Sequence, residues 1–559
     1  MDTGSQTPKT IPGHTSQAIT EVGILSHLHR YGWRSTAFYR VLLWGPVPAG
    51  VRFSVPEVWP GNPDVGRELL KGHFCFQGEC HSVAADSGVP QEASREWLAW
   101  YHGHGWLKDI RALASSEAAT CAREYLSVWL DDNALWSELP WKPEVAAERL
   151  INWCQNWSFL CQENATSDNL TKALRQRAGT DARHILKATP PPTSCFERLH
   201  TIKGQVYGAY ALLGGDGRMA RALSRLELEI ATQVLPDGGH IERSPERLTE
   251  VLKDLLELRA LLKAATGNTF DFLQNAIDRV APMVRALRYP DGGLAVFNGG
   301  LENDPIWLDQ LLAHTETTSK APQSAPHTGF QRLQAGDIHL VMDCHKPTPA
   351  GHLQHAGTLG FELSIGKQRL FVNCGARKGQ NDPWRTALAA TAAHTCLSVN
   401  DSSSATFKLD GTLLHGPQTT TCERQDIDQG ALVEASHDGY LDTFALTHHR
   451  AIFVASHGID VRGEDRLIGT GGNYFALRFH LHPKIKASLL GDSQGVMLRL
   501  PNNDVWWMRS SIADIKLESS VYLGTYGKAQ RTEQIVISGP LSGNGALIKW
   551  ALTRKNEPV

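Results

Sequence analysis

The chain lacks any apolar run of about 18 residues, the length that a membrane-spanning helix needs. It has no strong excess of one charge either, since 55 Lys and Arg against 58 Asp and Glu leave a net charge of -3. This balance argues against a protein that binds nucleic acid through bulk charge. Ten cysteines show no Cys-x-x-Cys spacing, so reduced thiols are expected rather than a disulfide framework. Residues 1–17 lack the basic and apolar regions of a secretory signal, which predicts a cytoplasmic protein.

The order of hydrophobic patterns along the 559 residues predicts two folded modules. Residues 1–17, polar with Pro and Gly, are predicted to be a disordered tail. Apolar residues then recur at spacings of three and four through 18–313, which predicts a large helical domain. A polar linker at 314–329 is followed by short alternating segments, rich in β-branched and aromatic residues, through 330–559. The sequence therefore predicts a multidomain α+β protein in which helices precede an antiparallel β-sandwich.

A polar cluster stands directly before the best-marked helix start of the chain, in the stretch 235–264. A Ser-Pro pair suits the N-cap and the first helical position there. Just before it, a Gly-Gly turn presents His240, Glu242 and Arg243 on one loop. A base, an acid and a cation meet at this place, which predicts a functional site. The competing interpretation is that the three side chains join the two modules through buried hydrogen bonds and ion pairs.

The helices-then-strands order and four short segments carry a resemblance to a known family. The segments DGGHIERSP, HAGTLGFEL, FVNCG and TAAHTCLSV resemble the heparinase II/III-like family of polysaccharide lyases. The resemblance implies an incomplete α/α-toroid and an antiparallel β-sandwich, with a cleft between them. It also implies β-elimination on a uronic-acid-containing polysaccharide, in which a cation neutralises the carboxylate, a base removes the C5 proton and an acid protonates the leaving O4. An acidic polysaccharide is thus the expected partner, a homodimer is the expected assembly, and the periplasm or cell envelope is the alternative compartment.

Several positions depart from the motifs of that family. Arg247 and Leu248 stand where members often have Tyr-His, and Lys203 and Gly204 stand where an Asn-His pair is expected. In the sandwich, the pattern His-Ala-His-Ala-Asp retains its second His, which is His355, and loses the first His together with the Asp. These departures leave three functions open: a lyase with a rearranged catalytic set, a non-catalytic saccharide-binding or envelope-assembly protein on the same scaffold, or a hydrolase. The hydrolase would use paired carboxylates, for which Glu242 and Asp237 or Glu362 are the candidates.

The candidate residues follow from the polar loop and the resemblance together. The predicted catalytic residues are His240, Glu242, Arg243, His355, His394 and Tyr207. The predicted substrate-binding residues are Arg247, Trp384, Arg385 and Tyr210. Among them, the Arg243 guanidinium is expected to hold a sugar carboxylate at two points, whereas each tyrosine competes with a purely structural role in the helical core.

The resemblance implies one metal position and no other cofactor. A structural zinc would be held by His355, Asn373 and His394, but a neutral amide is a poor substitute for a carboxylate ligand. The alternative is that the two histidines act as bases without a metal. Cys374 is expected to point to the opposite face from its neighbour because strand residues alternate. His480 and the histidine two residues later share one face of another predicted strand, as two imidazoles without a third ligand.

Overall fold

The computed structural model describes most of the chain. The described residues are 37–84, 89–90, 92–161, 168–187, 195–351, 353–379, 382–491, 495–512, 514–541 and 543–555. The predicted tail at 1–17 lies outside them.

Helices dominate the first half of the described chain. They are α1 (Ala37–Leu42), α2 (Pro63–Leu70), α3 (Arg95–His102), α4 (Leu107–Arg111), α5 (Ser116–Asp132), α6 (Pro143–Gln155), α7 (Trp157–Leu160), α8 (Asn169–Lys187), α9 (Cys195–Tyr210), α10 (Met219–Gln233), α11 (Pro245–Thr266), α12 (Asp271–Ala286) and α13 (Pro305–Ala313). A short 3₁₀ turn, Asp216–Arg218, precedes α10.

A small hairpin interrupts the helices between α2 and α3. Its strands β1 (His73–Phe76) and β2 (Glu79–Ser82) are antiparallel, and a disulfide joins Cys75 to Cys80. The other eight cysteines are free. The expectation of reduced thiols therefore fails for this one pair, whose five-residue spacing is not a recognisable framework motif.

The longest helix, α11, begins and ends where its sequence signals lie. Ser244 has extended backbone angles and Pro245 occupies the first helical position, while Gly267 closes the helix with φ 74°. Its leucines are buried against α9, α12 and α13. Trp97 and Trp153 of α3 and α6 are likewise fully buried, so these aromatics build the helical core rather than a surface platform.

Strands make up the second half of the described chain. They are β3 (Ser324–Ala325), β4 (Phe330–Ala335), β5 (Ile338–Asp343), β6 (Phe361–Ile365), β7 (Gln368–Phe371), β8 (Leu397–Val399), β9 (Thr406–Phe407), β10 (Leu413–His415), β11 (Thr420–Ile427), β12 (Gly430–Tyr440), β13 (Leu446–Ala455), β14 (Asp460–Gly469), β15 (Tyr474–His480), β16 (Lys486–Leu489), β17 (Gly495–Arg499), β18 (Val505–Ser510), β19 (Ile515–Tyr522), β20 (Gln530–Pro540) and β21 (Ala546–Arg554). Two short helices, α14 (Trp384–Ala389) and α15 (Leu441–Phe444), lie between strands.

These strands form antiparallel sheets that enclose a second core. The order is β3-β4-β5-β6-β7 in a five-stranded sheet, β11-β12-β13-β14-β21-β18-β17-β16 in an eight-stranded sheet and β19-β20-β15-β8 in a four-stranded sheet. Alternation is clear on β13, where every second residue is buried along most of the strand. The apolar face of each sheet contributes to one cluster that includes Phe361, Phe479 and Trp550.

The two modules share an apolar boundary. Phe330 and Val341 of the first sheet belong to the same buried cluster as the helices, and Phe297 packs against Phe330 with ring centroids 5.3 Å apart. The predicted fold class, a helical part followed by antiparallel sheets, is confirmed. Among the described residues, no helix combines the length and the apolar character needed to span a membrane.

Candidate functional site

The polar loop before α11 is held against the sandwich by its own first residues. The Asp237 carboxylate accepts hydrogen bonds from the backbone N–H groups of His327 and Thr328, at 2.8 and 2.7 Å, and from the Thr328 hydroxyl at 2.6 Å. Gly238 has φ 86°, which a residue with a side chain rarely adopts. Gly239 is needed for space instead, because a Cβ there would lie 1.8 Å from Thr328 Oγ1. The loop is therefore fixed by the hydrogen bonds of the Asp237 carboxylate and by the close packing of Gly239 against Thr328.

The base and the acid of this loop are both enclosed. His240 is 1% exposed; its Nε2 donates to Gln233 Oε1 at 2.9 Å and its Nδ1 accepts from the Glu242 N–H at 3.3 Å. Burial, and then Arg247, lower the pKa of His240 to about 3. Glu242 accepts from the Phe196 N–H at 3.1 Å, and burial raises its pKa. Both side chains have their partners within the protein.

The cation of the loop bridges the two modules. Arg243 is 3% exposed and has φ 59°. Its Nε donates to Thr328 O at 2.7 Å, Nη1 donates to Lys346 O at 2.9 Å, and Nη2 pairs with the Asp343 carboxylate. The bidentate contact expected for a sugar carboxylate is thus made to groups of the sandwich. In this structure the guanidinium is surrounded by protein acceptors.

A cluster of charges fills the helical position where an Asn-His pair was expected. The Lys203 ammonium lies 2.6 Å from Asp254 and also pairs with Glu257. His200, one turn earlier on α9, lies 2.8 Å from Glu148 and 3.1 Å from Asp254. Burial alone would lower the pKa of Lys203, but the two acids of α11 raise it well above its usual value. We call these five residues the helical charge cluster.

The predicted tyrosines and Arg247 lie beside that cluster. Tyr207 is buried, and its hydroxyl oxygen accepts from Gln155 Nε2 at 3.2 Å; burial, followed by Glu257, raises its pKa. Tyr210 is also buried, and burial raises its pKa. Arg247 Nη1 pairs with Glu250 Oε2 at 2.6 Å, and its guanidinium stacks 4.5 Å from the Phe196 ring.

The structure brings the two sandwich histidines together. The rings of His355 and His394 are 5.1 Å apart, and His394 Nδ1 is 3.1 Å from Asn373 Oδ1. Asn373 Nδ2 donates to Val296 O at 2.9 Å, so its amide already bridges both modules. The Cys374 thiol lies on the opposite face, 3.4 Å from His480, as alternation predicts. Two imidazoles and one neutral amide do not fit the ligand set of a structural zinc, and no group of three acidic, His or Cys ligands occurs among the described residues.

A cationic pocket opens beside His355, on loops of the sandwich. We call it the anion pocket; its volume is about 200 Å³. Its lining residues are Leu353, Gln354, His355, Arg377, Arg385, Thr386, Ala389, Ala390, Ser403, Ala405, Thr406, Phe407, Lys408, Leu409 and Gly411. The lining includes three cations and no carboxylate, although Glu96 and Asp410 act on Arg385 from outside it. Burial, and then Arg385, lower the pKa of His355 to about 4, so its imidazole is neutral at neutral pH.

A side chain of the anion pocket reaches the backbone of the polar loop. Gln354 Nε2 donates to Glu242 O at 2.6 Å, whereas the side chains of the loop face other partners. Of the predicted residues, His355 and Arg385 meet in this pocket and Trp384 faces a separate one. Sequence reasoning missed Arg377 and Lys408. Both lie in segments that lack the hydrophobic repeat of a helix or a strand. The signal that could have identified them is their positive charge close to His355.

Comparison with known proteins gives one family and one curated relative. Residues 317–551 match the family described as "Heparinase II/III-like, C-terminal". The chain is 28% identical over 555 residues to the "FtsZ-localized protein C" of Caulobacter vibrioides, and the match covers 93% of each chain.

Solved structures show the same fold at low sequence identity. A heparinase III superposes with a TM-score of 0.75 at 15% identity, over 97% of this chain and 91% of the other. A heparan sulfate lyase from Pedobacter heparinus gives a TM-score of 0.61 at 14% identity, over 93% and 88%. At these identities the likeness concerns the fold alone, so function has to be argued from the residues.

Proposed function

We propose that the chain, whose residues 317–551 match the heparinase II/III-like family, is a divergent relative of these lyases that uses their scaffold to bind an acidic saccharide without cleaving it. The observation that carries this proposal is the contrast between two places in the structure. The charges of the helical charge cluster pair with one another, whereas the lining of the anion pocket contains three cations and no carboxylate, with Asp382 lying 3.9 Å from Arg377 outside the lining. The Asn-His pair expected at this position is thus replaced by side chains that pair with one another.

The pocket is suited to one charged sugar unit. Arg377 and Arg385 are half-buried and Lys408 is exposed, so they offer two planar guanidinium groups and one mobile ammonium to a carboxylate or sulfate. Phe407 and Leu353 add apolar contacts for a pyranose face. Leu353 occupies the position of the first histidine in the family pattern. The pocket therefore has an apolar side chain where a catalytic imidazole was expected.

Binding and cleavage are separated by one experiment. Uronate oligosaccharides of the alginate, heparan and hyaluronan types are titrated into the protein by calorimetry, and the same mixtures are followed by ultraviolet absorbance for the unsaturated uronate that elimination creates. We expect binding that weakens with salt and no absorbance change. Arg385→Ala should weaken binding at least tenfold, while Arg462→Ala, an exposed arginine on the eight-stranded sheet, should leave it unchanged. Absence of binding to every polymer would refute the proposal.

Retained β-elimination is the second candidate function. It is favoured by His355, a neutral imidazole that lines the same pocket as Arg385. In that case the guanidinium would neutralise the sugar carboxylate and His355 would remove the C5 proton. The C4–O4 bond would then break as the C4–C5 double bond forms, and the departing O4 would receive the proton from His355. An absorbance rise that disappears in His355→Ala would establish this reaction and replace the binding proposal.

The curated relative supports a cellular setting for a binding protein. Its printed name places it with FtsZ, and we propose that this chain likewise works where FtsZ assembles, as a non-catalytic assembly protein of the envelope. Cosedimentation of the full chain with polymerised FtsZ, compared with unpolymerised FtsZ, tests this setting. The homodimer expected from lyase architecture stays a prediction, which light scattering of the purified chain would decide.

A further inference from the structure

A second pocket, of about 290 Å³, lies on the other side of α14 from the anion pocket. Arg385 and Thr386 line the anion pocket, whereas Trp384 and Leu388 line this one, which we call the α14 pocket. Trp384 is 38% exposed and forms an apolar wall together with Leu388 and the Val521 side of β19. The polar part of its lining is formed by Cys374, His480, Ser519, Ser520 and Gln534.

The hydrogen bonds of His480 determine which ring nitrogen carries the proton. Its Nε2 lies 2.9 Å from the carbonyl oxygen of Ala392. Because a carbonyl only accepts, Nε2 must be the protonated nitrogen and Nδ1 must carry the lone pair. Ser520 Oγ lies 2.8 Å from Nδ1 and donates to it. The Ser520 hydroxyl is thus hydrogen-bonded to the unprotonated nitrogen of the imidazole, and the Ala392 carbonyl orients the ring through its other nitrogen.

The surroundings keep this imidazole neutral and place the serine at the surface. Burial lowers the pKa of His480 to about 4, so the ring is available as a base at neutral pH. His480 lies at the end of β15, in a central position of the four-stranded sheet, whereas Ser520 is on the edge strand β19 and is partly exposed. A buried base therefore meets a nucleophile that a ligand in the α14 pocket can reach.

We propose that Ser520 and His480 form a second active site, which hydrolyses small uncharged acyl esters in the α14 pocket. Ser520 Oγ attacks the ester carbonyl carbon while His480 Nδ1 takes the hydroxyl proton. The bond to the leaving alcohol then breaks, and the alcohol oxygen receives that proton from His480. Water next attacks the acyl-Ser520, again giving its proton to His480, and Ser520 recovers the proton as the carboxylic acid leaves. The balance is one ester and one water consumed, one acid and one alcohol formed.

The nucleophile is Ser520 rather than the neighbouring thiol. Cys374 Sγ is 3.4 Å from the same Nδ1, but the thiol is buried and burial raises its pKa to about 12. The thiolate that would be needed for attack is therefore disfavoured. Gln534 is the residue of β20 that pairs with His480. Its side-chain nitrogen Nε2 makes two long contacts of 3.5 Å, to Glu518 Oε2 and to Ser519 O. In the proposed reaction this N–H group turns from Glu518 Oε2 and Ser519 O to the developing oxyanion.

The chemistry of the walls selects the acyl class. The described lining of the α14 pocket contains no charged carboxylate, lysine or arginine, so a charged acyl group would lose its hydration without a partner. Trp384 and Leu388 suit a short apolar acyl chain or the face of a sugar ring. An acetyl ester on a saccharide hydroxyl combines both features. This activity does not require that the anion pocket bind saccharide.

Two probes test the site in the full chain. The first is hydrolysis of 4-nitrophenyl acetate, and the second is covalent labelling by a fluorophosphonate, located by peptide mass spectrometry. We expect labelling at Ser520 and a loss of about a hundredfold or more in hydrolysis for Ser520→Ala and for His480→Gln. Ser488→Ala is the control, because this exposed serine lies on the edge strand β16 of the eight-stranded sheet and outside the α14 pocket, and it should behave as wild type.

The outcomes separate the site from surface reactivity. Thermal unfolding of each variant shows whether its fold is intact, and Ser520→Ala removes only one partly exposed oxygen. Equal hydrolysis by wild type and Ser520→Ala would overturn the proposal, as would labelling at another residue or none at all. Labelling at Cys374 would show that the thiol is the nucleophile and would refute the role of Ser520. These readouts are independent of polysaccharide binding, so failure here and failure at the anion pocket are distinguishable.

Discussion

Arg243 was compatible with two interpretations of its loop, as a ligand for the substrate or as a structural tie between the modules. A guanidinium on a Gly-rich turn suits a sugar carboxylate, yet here its donors reach Thr328, Lys346 and Asp343 across the module boundary. Buried ion pairs of this kind contribute little compared with apolar packing, but removing one partner leaves an uncompensated charge. The difference between a substrate ligand and a structural tie is therefore measurable as stability.

Arg243→Ala should destabilise the fold by about 3–5 kcal/mol, because Asp343 would remain buried without its cation. Urea unfolding followed by circular dichroism measures the change. Adding Asp343→Asn should recover part of the loss, since the neutral amide removes the unpaired charge. Arg385→Ala is the matched arginine control and should cost less than about 1 kcal/mol. Wild-type stability in Arg243→Ala combined with weaker saccharide binding would return this residue to the substrate site.

His200 gives the helical charge cluster a pH dependence. Burial alone would lower the pKa of His200, but Asp254 and then Glu148 outweigh it and raise the pKa to about 9. A pKa raised in the folded state stabilises the protein fully below the unfolded value of about 6.5, and this contribution is lost as the pH rises through about 9. The free energy of unfolding should therefore fall between these values by up to about 3 kcal/mol.

The measurement compares wild type with His200→Gln in urea at several pH values between those limits. The variant should be less stable at the acidic end and should lose the decline specific to the histidine, so the two curves converge toward alkaline pH. Parallel curves would show that His200 does not hold a proton through the cluster. The comparison cancels groups that titrate equally in both proteins.

At the scale of elements, helix boundaries were predictable and side-chain partners were not. Ser244 and Pro245 mark the start of α11 through local backbone preference, which depends on neighbours in sequence. The pairing of Lys203 with Asp254 and Glu257 depends on α9 packing against α11, and a helical period reports a face but not what meets it. The missing Asn-His pair was visible in the sequence, but its replacement by an ion-paired cluster required the fold.

The polar loop before α11 needs its second glycine for space. A Cβ at Gly239 would lie 1.8 Å from Thr328 Oγ1 and displace the hydroxyl that Asp237 binds. Gly239→Ala should therefore cost about 1–3 kcal/mol through overpacking, measured by thermal unfolding. Gly217→Ala is the control, since a Cβ there meets nothing within 4 Å, and it should be near neutral. Equal effects of both substitutions would mean that the loop relaxes without resistance.

For the whole molecule, the order of patterns was enough to predict helices before strands, because a period of 3.6 and a period of 2 are read directly from the chain. The anion pocket and the α14 pocket were not predictable in the same way. Arg377 and Lys408 lie in loops without a period, and Ser520 meets His480 through pairing of β19 and β15 with β20. The pairing register of strands that are distant in sequence brings such groups together, and this register cannot be read from a single sequence.

The boundary between the modules predicts how the whole chain unfolds. Arg369 lies 2.6 Å from Asp291 and donates to Leu294 O at 2.9 Å, and Glu246 lies 2.9 Å from Lys378. Because these buried ties add to a continuous apolar core, we expect calorimetry to record one transition with equal calorimetric and van't Hoff enthalpies. Arg369→Met should leave Asp291 unpaired, lower Tm and separate the transition into two. Two transitions in the wild-type protein would instead mean that each module is stable without the contacts of the other.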